Sequence, residues 1–256
     1  GIGKSTLLLQ LAPFAAIDQD VLYVSGEESA SQVALRAKRL GASNATALQF
    51  AATTNANDVG ATIKSGAYRL IIIDSIQTMM IDEITSAPGS VSQITNSSNV
   101  IIRAAKESGA AVVLVGHVTK EGSIAGPKVL EHLVDVVLQF EGDRYGGFKM
   151  VRAAKNRFGS TTDVAIFDMQ SEGLALVKNP SAALLAERQN ADGSVVLATM
   201  EGSRPLLVEI QALVNPTNFG YPKRTASGFD LNRLSLLVAV LERRTKLKLS
   251  DKDIYI

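Results

Sequence analysis

The chain opens with Gly1-Ile2-Gly3-Lys4-Ser5-Thr6, which matches the second half of the motif G-x-x-x-x-G-K-[ST] without its first glycine. In such loops, backbone N–H groups close around phosphate oxygens, the lysine binds the β/γ-phosphates and the hydroxyl binds Mg²⁺. We therefore predict that residues 1–6 bind ATP or ADP, with Lys4 on the phosphates, Ser5 on Mg²⁺ and Thr6 opening a helix whose dipole favours the anion. A chance Gly-Lys-Ser is the alternative. Because the motif starts midway, we expect protein upstream of Gly1.

Short β-branched runs alternate with helical patterns as far as about Val177, which predicts an α/β unit with a mostly parallel sheet covered on both faces. The continuously apolar runs Leu70–Ile73 and Ala111–Val115 predict central strands. We predict strands at 21–25, 47–50, 70–74, 111–116, 134–140, 150–155 and 164–169, and helices at 5–16, 30–40, 58–64 and 90–108.

Polar, turn-rich sequence over 179–194 predicts a domain boundary, so we divide the chain into residues 1–177 and 178–256. Strands are predicted at 195–200 and 206–212, a helix at 231–243, and the start of a strand at 253–256. We expect this second domain to be incomplete.

A carboxylate ends the buried run at 70–73. Asp74 at the tip of that strand can hold Mg²⁺ directly or through water, whereas the alternative is a side chain that caps the next turn. A phosphate loop followed by such a strand favours nucleotide binding over a chance motif.

Two more strands end in residues suited to catalysis. Glu27 and Glu28 follow the first strand, where a carboxylate can orient or deprotonate water. The alternative is that Ser29 caps the next helix and the glutamates complement its dipole. We predict that Glu27 is the catalytic one. His117 follows another buried strand and can hydrogen-bond a γ-phosphate or a water, or serve only a structural role.

Lys155 and Arg157 stand at the end of a later strand, before a turn. We predict that these two cations contact the γ-phosphate bound by a neighbouring subunit, as an arginine finger does in trans. The alternative is that they are only the exposed tip of a hairpin.

Composition limits the other function classes. The 256 residues include 26 Lys and Arg and 25 Asp and Glu, so the positive and negative charges nearly cancel. Nucleic-acid binding would therefore need local basic patches, because the protein as a whole has almost no net positive charge. The chain has no Cys, which excludes disulfides and thiolate metal sites within it and fits a cytoplasmic protein. The apolar runs are too short to span a bilayer.

With these motifs in place, the chain resembles the RadA (Sms) family of bacterial DNA-repair proteins over essentially its whole length. The resemblance rests on residues 1–6, 23–29, 73–77, 87–91, 116–122, 125–132, 155–159 and 201–213. It implies a RecA-like P-loop ATPase core followed by a truncated α+β domain similar to that of Lon protease. It also implies a zinc-binding four-Cys segment, which we expect only upstream of Gly1.

The family resemblance further implies a homo-hexameric, ATP-driven, helicase-like motor on single-stranded and branched DNA, acting by branch migration, with recombinase or other repair-protein partners and no membrane. Loop residues Lys120 and Lys128, and Met79, are candidates to line the ring channel, although core packing is the alternative for Met79. Lys223 and Arg224 are candidates for duplex binding outside the ring, or plain surface charge.

Two other functions remain open. One is a nucleotide-gated recombination mediator that binds DNA without unwinding it. The other is a Lon-type peptidase, which needs a serine nucleophile with a lysine base. Ser250 and Lys252 lie near the end of the chain, and nothing around Ser250 resembles a nucleophile motif.

Overall fold

The computed structural model describes residues 3–42, 47–117, 126–142, 147–186, 188, 191–217 and 220–256, with the backbone alone at 126–128. The chain forms two compact units. The first comprises residues 1–142 and 148–176, and the second comprises residues 143–147 and 177–256. Within the described residues, no helix is both long enough and apolar enough to cross a membrane.

A four-stranded parallel sheet is the centre of the first unit. Its strands are β1 (Val21–Ser25), β2 (Leu48–Ala52), β3 (Leu70–Asp74) and β4 (Ala111–Val115), in the order β2-β1-β3-β4. Ser25 pairs with Asp74, and Asp74 with Val115, so the carboxyl ends of three strands lie side by side. The predicted parallel sheet is confirmed, and β1 and β3 have the predicted bounds.

Helices cover both faces of this sheet: α1 (Lys4–Ala15), α2 (Ala30–Arg39), α3 (Ala56–Lys64) and α4 (Val91–Ser108). Successive side chains of β3 enter opposite faces, as strand geometry requires. Ile71 and Ile73 pack with residues of α3 and α4, whereas Ile72 packs with residues of α1 and α2. Burial on both faces explains why β3 is continuously apolar instead of alternating.

An antiparallel sheet completes the first unit. Helix α5 (Gly126–Leu133) leads into β5 (Val136–Gly142), β6 (Lys149–Asn156), β7 (Val164–Gln170) and β8 (Gly173–Leu176), which pair in chain order. Sequence reasoning missed α5, because Gly126 and Pro127 suggested a loop, yet proline is well tolerated in the first turn of a helix. It also missed the four-residue strand β8.

The described residues of the second unit form a β-hairpin, a mixed three-stranded sheet and two helices. After α6 (Pro180–Leu184), strands β9 (Ser194–Glu201) and β10 (Arg204–Gln211) form a hairpin. Strands β11 (Leu213–Pro216), β12 (Arg224–Thr225) and β13 (Lys252–Tyr255) form a sheet in the order β11-β13-β12. Helix α7 (Leu231–Thr245) buries Leu234 and Val238 in a small core with Ile254.

Candidate nucleotide site

The phosphate loop leads directly into α1. Gly3 immediately precedes the helix with φ of 107°, a backbone conformation that glycine adopts at little cost. Among the described residues, no side chain caps this end of α1. The first N–H groups of any α-helix lack partners within the helix, and its dipole favours an anion there. Lys4, Ser5 and Thr6 form that first turn, whereas Gly1 and Ile2 lie outside the described residues.

Lys4 reaches from α1 to the end of β4. Its ammonium donates to the Gly116 carbonyl, and its Nζ lies 3.1 Å from His117 Nδ1. Burial lowers the pKa of Lys4, while attraction to Asp74 and Glu27 acts in the opposite direction. The cation predicted to bind phosphate is thus held near two of the predicted acidic residues.

Asp74 is a buried carboxylate at the tip of β3. Its Oδ2 accepts a hydrogen bond of 2.5 Å from the Tyr23 hydroxyl. Burial and, next, the hydrogen bond to Asp74 raise the pKa of Tyr23 well above its usual value. The neighbouring Ser5 side chain has a smaller, opposing effect. Sequence reasoning did not select Tyr23, although a hydroxyl in the buried strand Val21–Ser25 signals a buried partner.

The two glutamates after β1 have different surroundings. The Ser75 hydroxyl donates to Glu27 Oε1 at 3.0 Å, and Ser75 is itself fully buried beside Asp74. Glu28 instead forms an ion pair with Arg36 of α2. The Glu27 side chain is therefore turned toward the tip of β3, whereas the Glu28 carboxylate is paired with an arginine of α2. This distinction was not available from the sequence, which places both residues just past the same strand.

His117 is exposed two residues beyond β4. The Gln77 side-chain amide, which follows β3, donates to the His117 carbonyl at 3.1 Å and links the segments that leave the two strands. Lys4, Glu27, Asp74 and His117 therefore gather at the carboxyl edge of the parallel sheet, the edge at which such sheets bind ligands.

The two predicted finger residues have partners within their own chain. Lys155 Nζ donates to the carbonyls of Glu131 and Val134, at 2.7 and 2.8 Å, and so caps the end of α5. The Arg157 guanidinium donates to Asp135 Oδ1 at 2.9 Å, in an ion pair whose side chains are about half exposed. Exposed pairs of this kind are weak and separate at small cost. The two partly buried hydrogen bonds of Lys155 are lost together if its ammonium moves, so its release costs more.

The structure revises the DNA-contact candidates. Met79 is fully buried in the core on the α3–α4 side of the sheet, so the core-packing alternative is correct for it. Arg224 donates to the Lys252 carbonyl at 2.9 Å and ties β12 to β13, so its guanidinium serves the fold of the second unit. Lys223 is exposed. Lys120 and the side chain of Lys128 lie outside the described residues.

The donor set suits a magnesium-bound nucleotide. Mg²⁺ prefers hard oxygen ligands and is commonly held by one or two protein oxygens together with the phosphates of its nucleotide. Ser5 offers a hydroxyl, and Asp74 offers a carboxylate with one oxygen held by Tyr23. The first turn of α1 and the Lys4 ammonium supply the positive charge that phosphates require.

A parallel sheet with a phosphate loop before its first helix and an acidic residue at the tip of a central strand defines a RecA-like P-loop ATPase core. Residues 1–123 match the family described as AAA domain, which fits such a core. The crystal structure of the RadB recombinase shares the fold, with a TM-score of 0.51 at 18% identity over 69% of this chain and 86% of that chain.

The chain is homologous over its whole length to bacterial proteins named DNA repair protein RadA. It is 52% identical to those of Bacillus subtilis (strain 168) and Halalkalibacterium halodurans over 258 residues, and 52% identical to that of Streptococcus pneumoniae over 257 residues. It spans 56% of the first two relatives and 61% of the third. The domain limits at 177 and 178 and the Lon-like character of the second domain stay predictions.

Proposed function

We propose that this chain is the nucleotide-hydrolysing part of an ATP-dependent DNA repair and recombination motor. The convergence of Lys4, Glu27, Asp74 and His117 at one sheet edge carries the proposal, because it joins a phosphate-binding cation, a metal-binding carboxylate and two groups that can contact a water or phosphate. The names of the RadA relatives support DNA repair as its setting.

In this proposal, the first turn of α1 and Lys4 bind the phosphates, while Ser5 and Asp74 hold Mg²⁺. Magnesium, when bound with the nucleotide, neutralises charge on the phosphate oxygens. Glu27 orients the attacking water and accepts its proton at the carboxylate, and the Ser75 hydroxyl keeps that carboxylate turned toward Asp74. His117 donates a hydrogen bond to the γ-phosphate or to the water.

The proposal extends to assembly and to movement on DNA. We propose that copies of the chain assemble as a homo-hexamer, in which Lys155 and Arg157 act on the nucleotide of a neighbour, and that the ring translocates on single-stranded DNA and drives branch migration. The exposed, weakly paired Arg157 supports this role better than Lys155, whose ammonium is engaged with the end of α5.

ATP hydrolysis and strand displacement on forked DNA, measured for the chain and for Lys4→Ala, test the proposal. We expect hydrolysis that single-stranded DNA stimulates and that falls at least about 100-fold in Lys4→Ala, because the phosphates lose their main cation. Lys38→Ala removes an exposed lysine of α2 and is the matched control. Hydrolysis without any strand displacement would favour the mediator over the motor, and an undiminished rate in Lys4→Ala would contradict both.

A further inference from the structure

Tyr23, in the middle of β1, places a hydroxyl group in the hydrophobic core. Its side chain is fully buried on the α1–α2 face of the sheet, in a cluster with Leu9, Val33 and Ile72. Its ring also contacts Phe50, with centroids 6.2 Å apart. A phenylalanine would serve this packing equally well, so the packing alone leaves the hydroxyl unexplained.

The register of the sheet directs that hydroxyl to Asp74. Tyr23 of β1 is paired with Ile72 of β3, and Asp74 lies two residues further along β3 on the same face. The length of the tyrosine side chain bridges this diagonal between the two parallel strands. The Tyr23 hydroxyl accordingly meets Asp74 Oδ2 at 2.5 Å. An aliphatic residue at position 23 would fill the core but would offer the carboxylate no donor.

Tyr23 contacts Asp74 from the side of the core and away from solvent. The Tyr23 side chain is fully buried, and Asp74 at the carboxyl end of β3 is buried as well. The hydroxyl therefore holds its Asp74 oxygen from within the protein.

We propose that Tyr23 is a positioning residue that holds one oxygen of Asp74 and thereby presents the other to Mg²⁺. The inference rests on the proposed function, in which Asp74 binds the magnesium of the nucleotide. Groups that orient a metal ligand in this way typically change metal affinity by about 10- to 100-fold when they are removed. Tyr23 would act on the metal and leave the binding of metal-free nucleotide unaffected.

Tyr23→Phe tests this role, because it removes the hydroxyl and keeps the ring. Tyr68→Phe is the matched control, since the Tyr68 hydroxyl donates to Gln49 Oε1 at 2.7 Å in an exposed contact of the same unit. Binding of ADP and of a non-hydrolysable ATP analogue is measured by calorimetry, first in EDTA and then across a Mg²⁺ titration. Thermal unfolding of each variant is followed in parallel.

In Tyr23→Phe, we expect the Mg²⁺ concentration that gives half of the maximal Mg²⁺-dependent gain in nucleotide affinity to rise by about 10-fold. Nucleotide affinity in EDTA should be unchanged, and Tyr68→Phe should behave as the parent chain. An unchanged Mg²⁺ requirement, or an equal loss of affinity with and without Mg²⁺, would overturn the positioning role. A parent chain that binds no nucleotide under either condition would instead overturn the proposed function.

A double-mutant cycle adds a test that is independent of any general effect on packing. The Tyr23→Phe effect on the Mg²⁺ requirement should disappear in an Asp74→Asn background, because Tyr23 is proposed to act only through Asp74. Persistence of the full effect without Asp74 would also overturn the inference.

Discussion

Lys4 Nζ lies 3.1 Å from His117 Nδ1, although the two residues are 113 positions apart in the chain. When the ammonium donates to Nδ1, that nitrogen is the acceptor and the imidazole proton is on Nε2. The N-terminal end of α1 and the segment after β4 are thereby joined through the two side chains that we propose to meet the phosphates.

The His117 contact leads to a prediction about turnover. We expect His117→Ala to bind ATP with about the parent affinity, because Lys4 remains, but to hydrolyse it roughly 100-fold more slowly, since the group facing the γ-phosphate or water is lost. The measurements are nucleotide affinity and steady-state ATP hydrolysis. His132→Ala removes the only other histidine in the sequence and should behave as the parent chain. Equal turnover in the two variants would restrict His117 to holding Lys4.

The two glutamates after β1 are expected to separate in function. Glu27→Gln keeps an acceptor for Ser75 but removes the base, so hydrolysis should fall by about 10²- to 10⁴-fold with nucleotide binding retained. Glu28→Gln removes the ion pair with Arg36 and should cost roughly 1 kcal/mol of unfolding free energy or less, with turnover intact. Single-turnover kinetics measure the loss of hydrolysis, and chemical denaturation measures the loss of unfolding free energy. If Glu28→Gln alone abolished turnover, Glu28 and not Glu27 would be the catalytic glutamate.

Arg157 and Lys155 should differ in their effects on stability. Lys155→Ala removes two hydrogen bonds that cap α5 and should lower the unfolding free energy by about 1–3 kcal/mol. Arg157→Ala removes an exposed ion pair and should cost at most about 1 kcal/mol. A loss of turnover in Arg157→Ala is therefore expected without a matching loss of stability, which thermal unfolding checks.

Mixing experiments decide whether Arg157 acts in trans. Lys4→Ala retains its own Arg157, and Arg157→Ala retains an intact phosphate loop, so mixed assemblies should recover part of the hydrolysis that each variant lacks. Replacing Lys4→Ala in the mixture by the Lys4→Ala/Arg157→Ala double variant should abolish the recovery. Equal activity in the two mixtures would contradict a finger supplied by a neighbour.

Gly26 is predicted to tolerate no side chain. A Cβ there would lie 1.9 Å from Thr78 Oγ1, and the Gly26 N–H donates to the Asp74 carbonyl at 3.0 Å. Gly26→Ala should therefore displace the backbone that carries Glu27 and reduce hydrolysis by more than about 10-fold, with destabilisation of roughly 1–3 kcal/mol. Gly142→Ala is the control, because the nearest described atom to a Cβ there is Nζ of the flexible Lys149 side chain, at 3.6 Å. Parent-like activity and stability in Gly26→Ala would contradict the prediction.

Much of the fold was predictable because local pattern and burial agree. The apolar run at 70–73 is buried on both faces, so its sequence alone indicated a central parallel strand, and β1 and β3 have the predicted bounds. The prediction failed where local signals are weak or ambiguous. Helix α5 begins with glycine and proline, and β8 has four residues, too few for a clear period of two.

The sequence by itself determined the phosphate loop, the acidic strand tip and the alternation that builds a RecA-like sheet, because each is encoded within a few consecutive residues. Only the tertiary structure showed that Glu27 contacts Ser75 whereas Glu28 pairs with Arg36, that Met79 is buried, and that the Tyr23 hydroxyl meets Asp74. It also showed that Lys155 and Arg224 bond to carbonyls of their own chain. These outcomes depend on which residues of distant segments meet across a sheet. Register and helix packing set those meetings, and neither is visible in a local run of residues.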